Sequence, residues 1–592
     1  MRSAFPKRGV LTCWTLAALF AAGFLVLVLR LRDIQVVSAS SHGRELDRQS
    51  VRRIQTEGVR GRILDRNGVV LADNRPTASI AINAVSRKAS TRDGTVASIR
   101  EALDAAARTI GRPAQVSDDE IQRHVKRSLA RPLVAWRNVT PDEAARFFEH
   151  EDELPGFVFL NSCERVYPKR SLAAQTIGYV GRDRAETETG DSKFDFTELE
   201  MCGRSGLEYR YDSFVRGVPG EKGLLVDARG FAVKEWTVVE AKKGPDLVLG
   251  LDSKIQLEAE RQLEGCKGAC VVMDPRSGEV LAMASAPGFD LSQFVPVVRR
   301  DIYAELCDNP DKPLFNRAAG GSYAPGSTFK PVTALAALSS GISADRLFEC
   351  TGAFSTGGVR IRCSRTWGHG EMNLAGALRD SCNPYFCEVG LEAGSNAVIS
   401  AARALGLGSH TGLDFPVDAA GLVPDDAWKV KHYSKPWFSG DLAQMSIGQG
   451  MLLATPLQMA RAVGAIGTGV LVTPVLRKGS RGPSSPLPFA KEHLDAVRLG
   501  MRKVVLSGTG KRGAEDVDAY VIGKTGTAEV GFGANLRKNV WFIAYAESND
   551  GRRAVATALV VEDGETGGTT AAPKVRNILE SIFGRKEAAD EA

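Results

Sequence analysis

The chain has 592 residues, 43% hydrophobic and 25% charged, with 61 Gly and 26 Pro, a composition that excludes a disordered or fibrous protein and leaves room for two to four folded units. The formal net charge is only +6 and no long basic run is present, which argues against a nucleic-acid partner. Ten cysteines are too few for a disulfide-built scaffold.

From Val10 to Leu29 twenty residues carry no charge. As a helix they span roughly 30 Å, the thickness of a bilayer core, so one transmembrane helix is predicted. Arg2, Lys7 and Arg8 precede it, while Arg30 and Arg32 follow. This small excess favours a cytoplasmic N-terminus with the rest of the chain on the outer side. A cleaved signal peptide is the alternative. The length of the apolar run and the lack of an A-x-A site favour a retained anchor.

Residues 33 to 244 read as an extended, Arg-rich module with a helix over Val96–Ile110 and a short strand over Ala78–Ile82. Three patches stand out: Arg60-Gly61-Arg62-Ile63-Leu64-Asp65-Arg66-Asn67-Gly68, Arg165-Val166-Tyr167-Pro168 and Gly203-Arg204-Ser205-Gly206-Leu207-Glu208. As local structure they are turns beside strands. The texture changes near Lys243. Leu247–Asp252 reads as a strand and Ser253–Leu263 as an amphipathic helix. Ala269–Met273 and Glu279–Ala284 form a hairpin around Asp274-Pro275-Arg276-Ser277-Gly278. Gly479–Pro488 is a Pro/Ser loop. Three more strands are expected over Ala519–Ile522 running into Lys524, Val540–Ala546 and Ala554–Val561, before a last helix over Ala572–Phe583. The fold class is α/β in the α+β sense, with a five-stranded, mainly antiparallel sheet flanked by helices.

Ala324-Pro325-Gly326-Ser327-Thr328-Phe329-Lys330 precedes an apolar helical run, which puts Ser327 at or near a helix N-terminus and Lys330 on the same face. A serine hydroxyl needs a base, and a lysine amine can serve if burial lowers its pKa. Ser381-Cys382-Asn383 lies 54 residues after Ser327, and Lys524-Thr525-Gly526-Thr527 lies 143 after Ser381. Ser381 can relay protons and Asn383 can grip a substrate amide. Thr525 and Thr527 share one strand face, where a threonine hydroxyl can bind a terminal carboxylate, while Gly526 admits a close backbone and Lys524 adds positive charge. His410-Thr411-Gly412 imitates the last motif but follows a glycine-rich turn rather than an apolar strand, and is rejected.

The set S-x-x-K, S-x-N and K-T-G, in that order, resembles the serine acyltransferases that bind penicillin. The anchor and the three N-terminal patches resemble the pedestal of the class B penicillin-binding proteins. Ser446-Ile447-Gly448-Gln449-Gly450, Ala454-Thr455-Pro456-Leu457-Gln458-Met459 and Trp367-Gly368-His369-Gly370 resemble the elongation-type members more than the division type.

The resemblance implies a cytoplasmic tail (1–9), an anchor (10–29), an irregular elongated pedestal (30–244), a transpeptidase domain (245–584) and a polar tail (585–592). It implies a single-pass protein of the inner membrane with the catalytic domain outside. It also implies cross-linking of D-Ala-D-Ala stem peptides through an acyl-enzyme on Ser327, with the backbone N–H groups of Ser327 and Thr527 as oxyanion hole and carboxypeptidase activity as a side reaction. β-Lactams would bind covalently, glycan polymerisation would fall to a SEDS-type membrane polymerase, elongation-complex proteins would be further partners, and the chemistry would need no cofactor. A division-type transpeptidase, a serine β-lactamase and a non-catalytic penicillin sensor or scaffold are the competing readings.

Cys350, Cys363, His369 and Cys382 are spaced 13, 6 and 13 apart. Three thiolates and an imidazole suit a structural zinc. Some elongation-type relatives carry a similar site with Asp, His and Cys ligands. A Cys350–Cys363 disulfide is the equally weighted alternative. Setting aside Cys13 and three ligands leaves six cysteines able to pair.

Overall fold

The computed structural model describes residues 7–37, 51–87, 89, 91–127, 132–182, 196–197, 201–226, 232–296, 298–531 and 536–586. Arg2 and most of the expected tail 585–592 lie outside them.

The apolar run is a helix, Lys7–Arg32, of 26 residues. Its large side chains are exposed on every side, Trp14 at 71% and Phe20 at 79%, so nothing among the described residues covers them. This is the state of a helix whose solvent is lipid.

Among its described residues the pedestal contains a four-stranded sheet, a five-stranded sheet and a two-stranded pair, Val180–Arg182 with Met201–Gly203. In the five-stranded sheet, the strand Val70–Asn83 runs 14 residues, far longer than the alternation at 78–82 suggests. Its partner Phe157–Val166 pairs with it antiparallel from Asp73–Val166 to Ile82–Phe157. The helix Arg92–Ile110 starts four residues before its expected start because Thr91 caps it, accepting from Gly94 N. Ile99, Leu103, Ala106 and Ile110 are fully buried along one face of that helix and share a core with Trp136 and Phe157. The expected strand at 247–252 shrinks to Leu247–Val248, which pairs parallel with Ile63–Leu64 of this pedestal sheet.

The three N-terminal patches meet in one buried ion cluster. Arg60 reaches Glu208 at 2.8 Å and Asp212 at 2.6 Å. Arg165 reaches the other Glu208 oxygen at 2.7 Å, and the Tyr167 hydroxyl donates to it at 3.4 Å. The end of the first patch clasps the following domain. Asp65 accepts from Ser253 N, Arg66 N donates to Leu251 O, and Arg66 pairs with Glu279 at 3.2 Å.

The second domain is built on a five-stranded sheet in the order Val280–Ala286, Gly268–Met273, Ala554–Val561, Arg537–Glu547, Tyr520–Val530, with every neighbour antiparallel. Each inner strand is buried on both faces. Ala269, Val271 and Met273 face one core, while Cys270 and Val272 face the other under the helices Ser253–Gln262 and Ala572–Phe583. Tyr520–Val530 is an edge strand, so half of its backbone groups are left for other partners. The Pro/Ser loop also holds a short strand, Ser484–Pro486, paired with Val470–Val472. None of the ten cysteines is in a disulfide, so the six expected to be able to pair do not.

Candidate active site

Ser327 stands on a 3₁₀ turn, Gly326–Phe329, directly before the α-helix Lys330–Ser339 rather than inside it. In a 3₁₀ turn residues three apart eclipse one another, so the shared face of Ser327 and Lys330 survives the change of helix type. Pro331 sits in the first turn of the α-helix, where its missing N–H costs nothing. Ser327 is partly exposed, whereas Thr328, Phe329 and Lys330 are buried. The turn is anchored by Trp541 Nε1 on Ala324 O at 3.0 Å and by Gly326 N on Gly448 O at 2.9 Å. Gly326 has φ +55°, and a Cβ there would lie 2.8 Å from Thr527 O. Only glycine lets the turn close onto the edge strand.

Ser381 caps the helix Leu374–Asp380 in the left-handed region, φ 54°, a conformation that costs a non-glycine residue energy and is common at functional sites. Its hydroxyl and carbonyl face two lysines. Lys330 Nζ donates to Ser381 O at 2.6 Å and to Asn383 Oδ1 at 2.7 Å, and lies 3.2 Å from Ser381 Oγ. Lys524 Nζ reaches the same Oγ at 2.9 Å and Thr525 O at 3.0 Å. Every one of these partners is a neutral oxygen, and both lysines are fully buried. Burial pushes Lys330 down to about 8. Burial, and then the charge of Lys330, hold Lys524 well below the ordinary lysine range.

Asn383 uses its Nδ2 toward Arg362 O at 2.8 Å. With Oδ1 on Lys330, the orientation of the amide is fixed and one N–H remains free for a substrate carbonyl. On the edge strand, Thr527 O accepts from Gln449 Nε2 at 3.4 Å instead of from the neighbouring strand. In an antiparallel strand the N–H of a residue points the same way as its C=O, so Thr527 N–H also faces the open edge. Thr527 Oγ1 accepts from Gly567 N at 3.2 Å, and Thr525 Oγ1 pairs with Thr509 Oγ1 at 2.8 Å. Gly526 is close-packed, since a Cβ there would lie 2.8 Å from Pro325 O.

The structure therefore brings Ser381, Asn383, Lys330, Lys524, Thr525, Gly526 and Thr527 together beside the Ser327 turn. Sequence reasoning missed Thr509 and Gly567, and gave Gln449 no place in the site. A threonine between two glycines after a long helix, Gly508-Thr509-Gly510, was the available signal for the first. His410-Thr411-Gly412 lies in a loop where Thr411 and Gly412 bind Asp418.

Cys350, Cys363, His369 and Cys382 offer ligand atoms that all lie within 4.8 Å of one another. His369 Nδ1 is 3.6 Å from Cys350 Sγ and 3.3 Å from Cys363 Sγ, and the Cys363 and Cys382 sulfurs are 4.0 Å apart. With Zn–S near 2.3 Å and Zn–N near 2.0 Å, a tetrahedral ion sets S···S and S···N separations of about 3.5–3.8 Å, so the donor set fits. The contact between the two thiols holds Cys363 well below the ordinary thiol range, and the same contact together with burial pushes Cys382 far up.

The model of the Penicillin binding protein transpeptidase domain matches residues 268–580, and that of the Penicillin-binding Protein dimerisation domain matches residues 55–249. The Peptidoglycan D,D-transpeptidase MrdA of Acinetobacter baumannii is 31% identical, covering 92% of this chain and 84% of that protein. Among solved structures, the penicillin-binding protein PBP2 of Helicobacter pylori in complex with MreC superposes with TM-score 0.77 at 26% identity, over 90% of this chain and 98% of that one. A chain from a peptidoglycan synthase complex that coordinates polymerisation and cross-linking superposes with TM-score 0.73 at 28% identity, over 98% of this chain and 99% of that one.

Proposed function

The chain belongs to the penicillin-binding protein transpeptidases, and from that premise we propose that it is the elongation-type peptidoglycan D,D-transpeptidase of its cell, working through Ser327. The observation that carries the reading is the contact set of Lys330. A neutral amine has two N–H bonds and one lone pair. The two carbonyl-type oxygens at 2.6 and 2.7 Å absorb the N–H bonds, which leaves the lone pair for a hydroxyl.

In the first half-reaction the Ser327 hydroxyl attacks the carbonyl of the penultimate D-Ala, and its proton goes to Lys330 Nζ. The Ser327 and Thr527 N–H groups hold the oxyanion, each such donor being worth about 10²–10³ in rate. The C–N bond to the terminal D-Ala breaks, and Ser381 passes the proton from Lys330 to the leaving amine. Thr525 and Thr527 hold the terminal carboxylate while Lys524 supplies positive charge, Asn383 holds the donor amide, and Gly526 admits the peptide. In the second half-reaction the amine of a neighbouring stem attacks the ester, its proton returns through Lys330, and Ser327 regains its hydrogen. Water in place of that amine gives the carboxypeptidase reaction. A penicillin enters the first half-reaction, but its leaving nitrogen stays tethered, so the ester persists.

The family's acyl transfer needs no cofactor. Cys350, Cys363, His369 and Cys382 would hold one structural zinc, and that ion would pin the loop between Ser381 and Asn383. Purified protein is expected to carry one zinc per chain by elemental analysis, falling to none in Cys382→Ala together with a lower melting temperature. A metal-free wild type with a Cys350–Cys363 bridge contradicts the assignment.

The helix Lys7–Arg32 is a single-pass anchor, with the catalytic domain on the outer face of the inner membrane. The partners are stem peptides, β-lactams, a SEDS-type glycan polymerase and elongation-complex proteins. The test of this function is depletion in the source cell combined with penicillin labelling. Rounded cells and an adduct lasting many minutes support it. Filaments move the role to division, turnover within seconds makes the protein a β-lactamase, and rescue of shape by Ser327→Ala makes it a scaffold.

A further inference from the structure

A cavity of about 250 Å³ opens beside the helix Ser439–Ser446, outside the residues given a role above. It adjoins the catalytic cleft through one short turn. Gln449 touches Thr527 O from the cleft side, and Gly450, the next residue, lines the cavity. Gly448, two residues before Gly450, receives the Gly326 N–H beside Ser327. A chain emerging from the cleft past Gln449 therefore meets the cavity within a few residues' reach, about 3.3–3.6 Å each.

The lining chemistry narrows the occupant. Tyr433, 56% exposed, and the partly buried Trp437 present aromatic rings, and Met445 adds an apolar floor. Lys429 is paired with Asp441, so this buried cation and anion cancel. The Gln444 side chain makes no hydrogen bond within the described residues and keeps its full amide for a ligand. Lys435 adds a single exposed positive charge. Aromatic rings beside a free amide and a neutralised ion pair suit a ligand with apolar ring faces and many uncharged hydrogen-bonding groups. A free peptide carboxylate would instead call for an unpaired buried cation, whereas Lys429 is already neutralised by Asp441 and Lys435 is exposed to solvent. Single exposed aromatics on a soluble face need no explanation, but two of them walling a cavity beside a catalytic cleft do.

We propose that this cavity is a saccharide subsite, which seats an N-acetylated hexosamine of the glycan strand whose stem peptide occupies the cleft. The inference rests on the transpeptidase reading above and deepens it. The enzyme would then select stems that are still attached to glycan, with Tyr433 stacking on the sugar ring and Gln444 meeting its acetamido group.

The test uses the full chain in detergent, with chitotetraose as a peptide-free probe, measured by saturation-transfer NMR and calorimetry. Wild type is expected to bind it. Tyr433→Ala, whose side chain is largely exposed, and Gln444→Ala should each weaken binding at least tenfold. The same variants should lower cross-linking of glycan-borne stems about tenfold while leaving penicillin acylation and D-Ala release from a free pentapeptide at wild-type rates. If chitotetraose does not bind wild type, or binds the variants equally, the proposal fails. If the free pentapeptide loses as much as the glycan-borne stem, the cavity is a peptide subsite and the proposal also fails. Penicillin acylation of wild type in the same samples reports on the transpeptidase reading separately.

Discussion

Lys330→Met is expected to lower the rate of acylation by a fluorescent penicillin by about a thousandfold or more, since a positioned base contributes about 10²–10⁴ and nothing replaces it. Methionine keeps the length and apolar stem of the side chain, so the fully buried position should stay filled. The variant removes the amine that holds Ser381 O and Asn383 Oδ1 as well as the lone pair. The wild-type pH profile follows from the same group. The active form is the neutral amine, and burial places its pKa at about 8 rather than 10.5. The rate should therefore climb through pH 8, from roughly a tenth of its plateau at pH 7 to roughly nine tenths at pH 9. In Lys330→Met that rise should vanish. A loss under tenfold, or an unchanged rise, removes Lys330 from the role of base.

Glu208→Ala is expected to cost the pedestal about 3–5 kcal/mol, the usual penalty for taking one partner from a buried ion pair. Glu208 is fully buried and shared by two guanidiniums, Arg60 at 2.8 Å and Arg165 at 2.7 Å. Without it the two cations face each other, and among the described residues only Asp212, itself shared between Arg60 and Arg216, offsets them. The pedestal should melt earlier in calorimetry. Glu208→Gln, which keeps one oxygen acceptor but no charge, should cost less than the alanine form. Acylation by penicillin should be unchanged while the protein is folded, because no contact of Glu208 reaches Ser327, Lys330 or Ser381. A fall in acylation at constant folding would tie the pedestal cluster to the chemistry.

The contrast between these two sites shows which features local pattern can carry. Ser327 and Lys330 are three residues apart, and the spacing that makes them neighbours is the geometry of one helical turn. Thr525 and Thr527 are likewise two apart on a strand. Arg60, Arg165 and Glu208 were visible as separate turn-like patches, but their convergence depends on pairing between segments more than 40 residues apart, and no periodicity records that. The strand expected over 247–252 is cut to Leu247–Val248 for the same reason. Its run of apolar residues is real, yet its continuous pairing is limited to two residues against the pedestal, and Leu249 adds one isolated bridge to Arg477 in the other domain. Short strands such as Ser484–Pro486 are held by a distant neighbour, with proline and serine content that locally argues for a loop. Thr509 and Gln449 belong to the cleft through contacts with Thr525 and Thr527 made across the fold, so a linear motif leaves them out. The Cys/His set was legible because its ligands differ chemically from everything around them.

The proposed chemistry stands on one covalent bond, the ester formed at Ser327. Peptide mapping by mass spectrometry after incubation with benzylpenicillin should find the penicilloyl group on the peptide containing Ser327, as an ester, in full-length protein. The adduct should be absent from Ser327→Ala with the fold intact. An adduct on any other residue, or one that persists in Ser327→Ala, would contradict it.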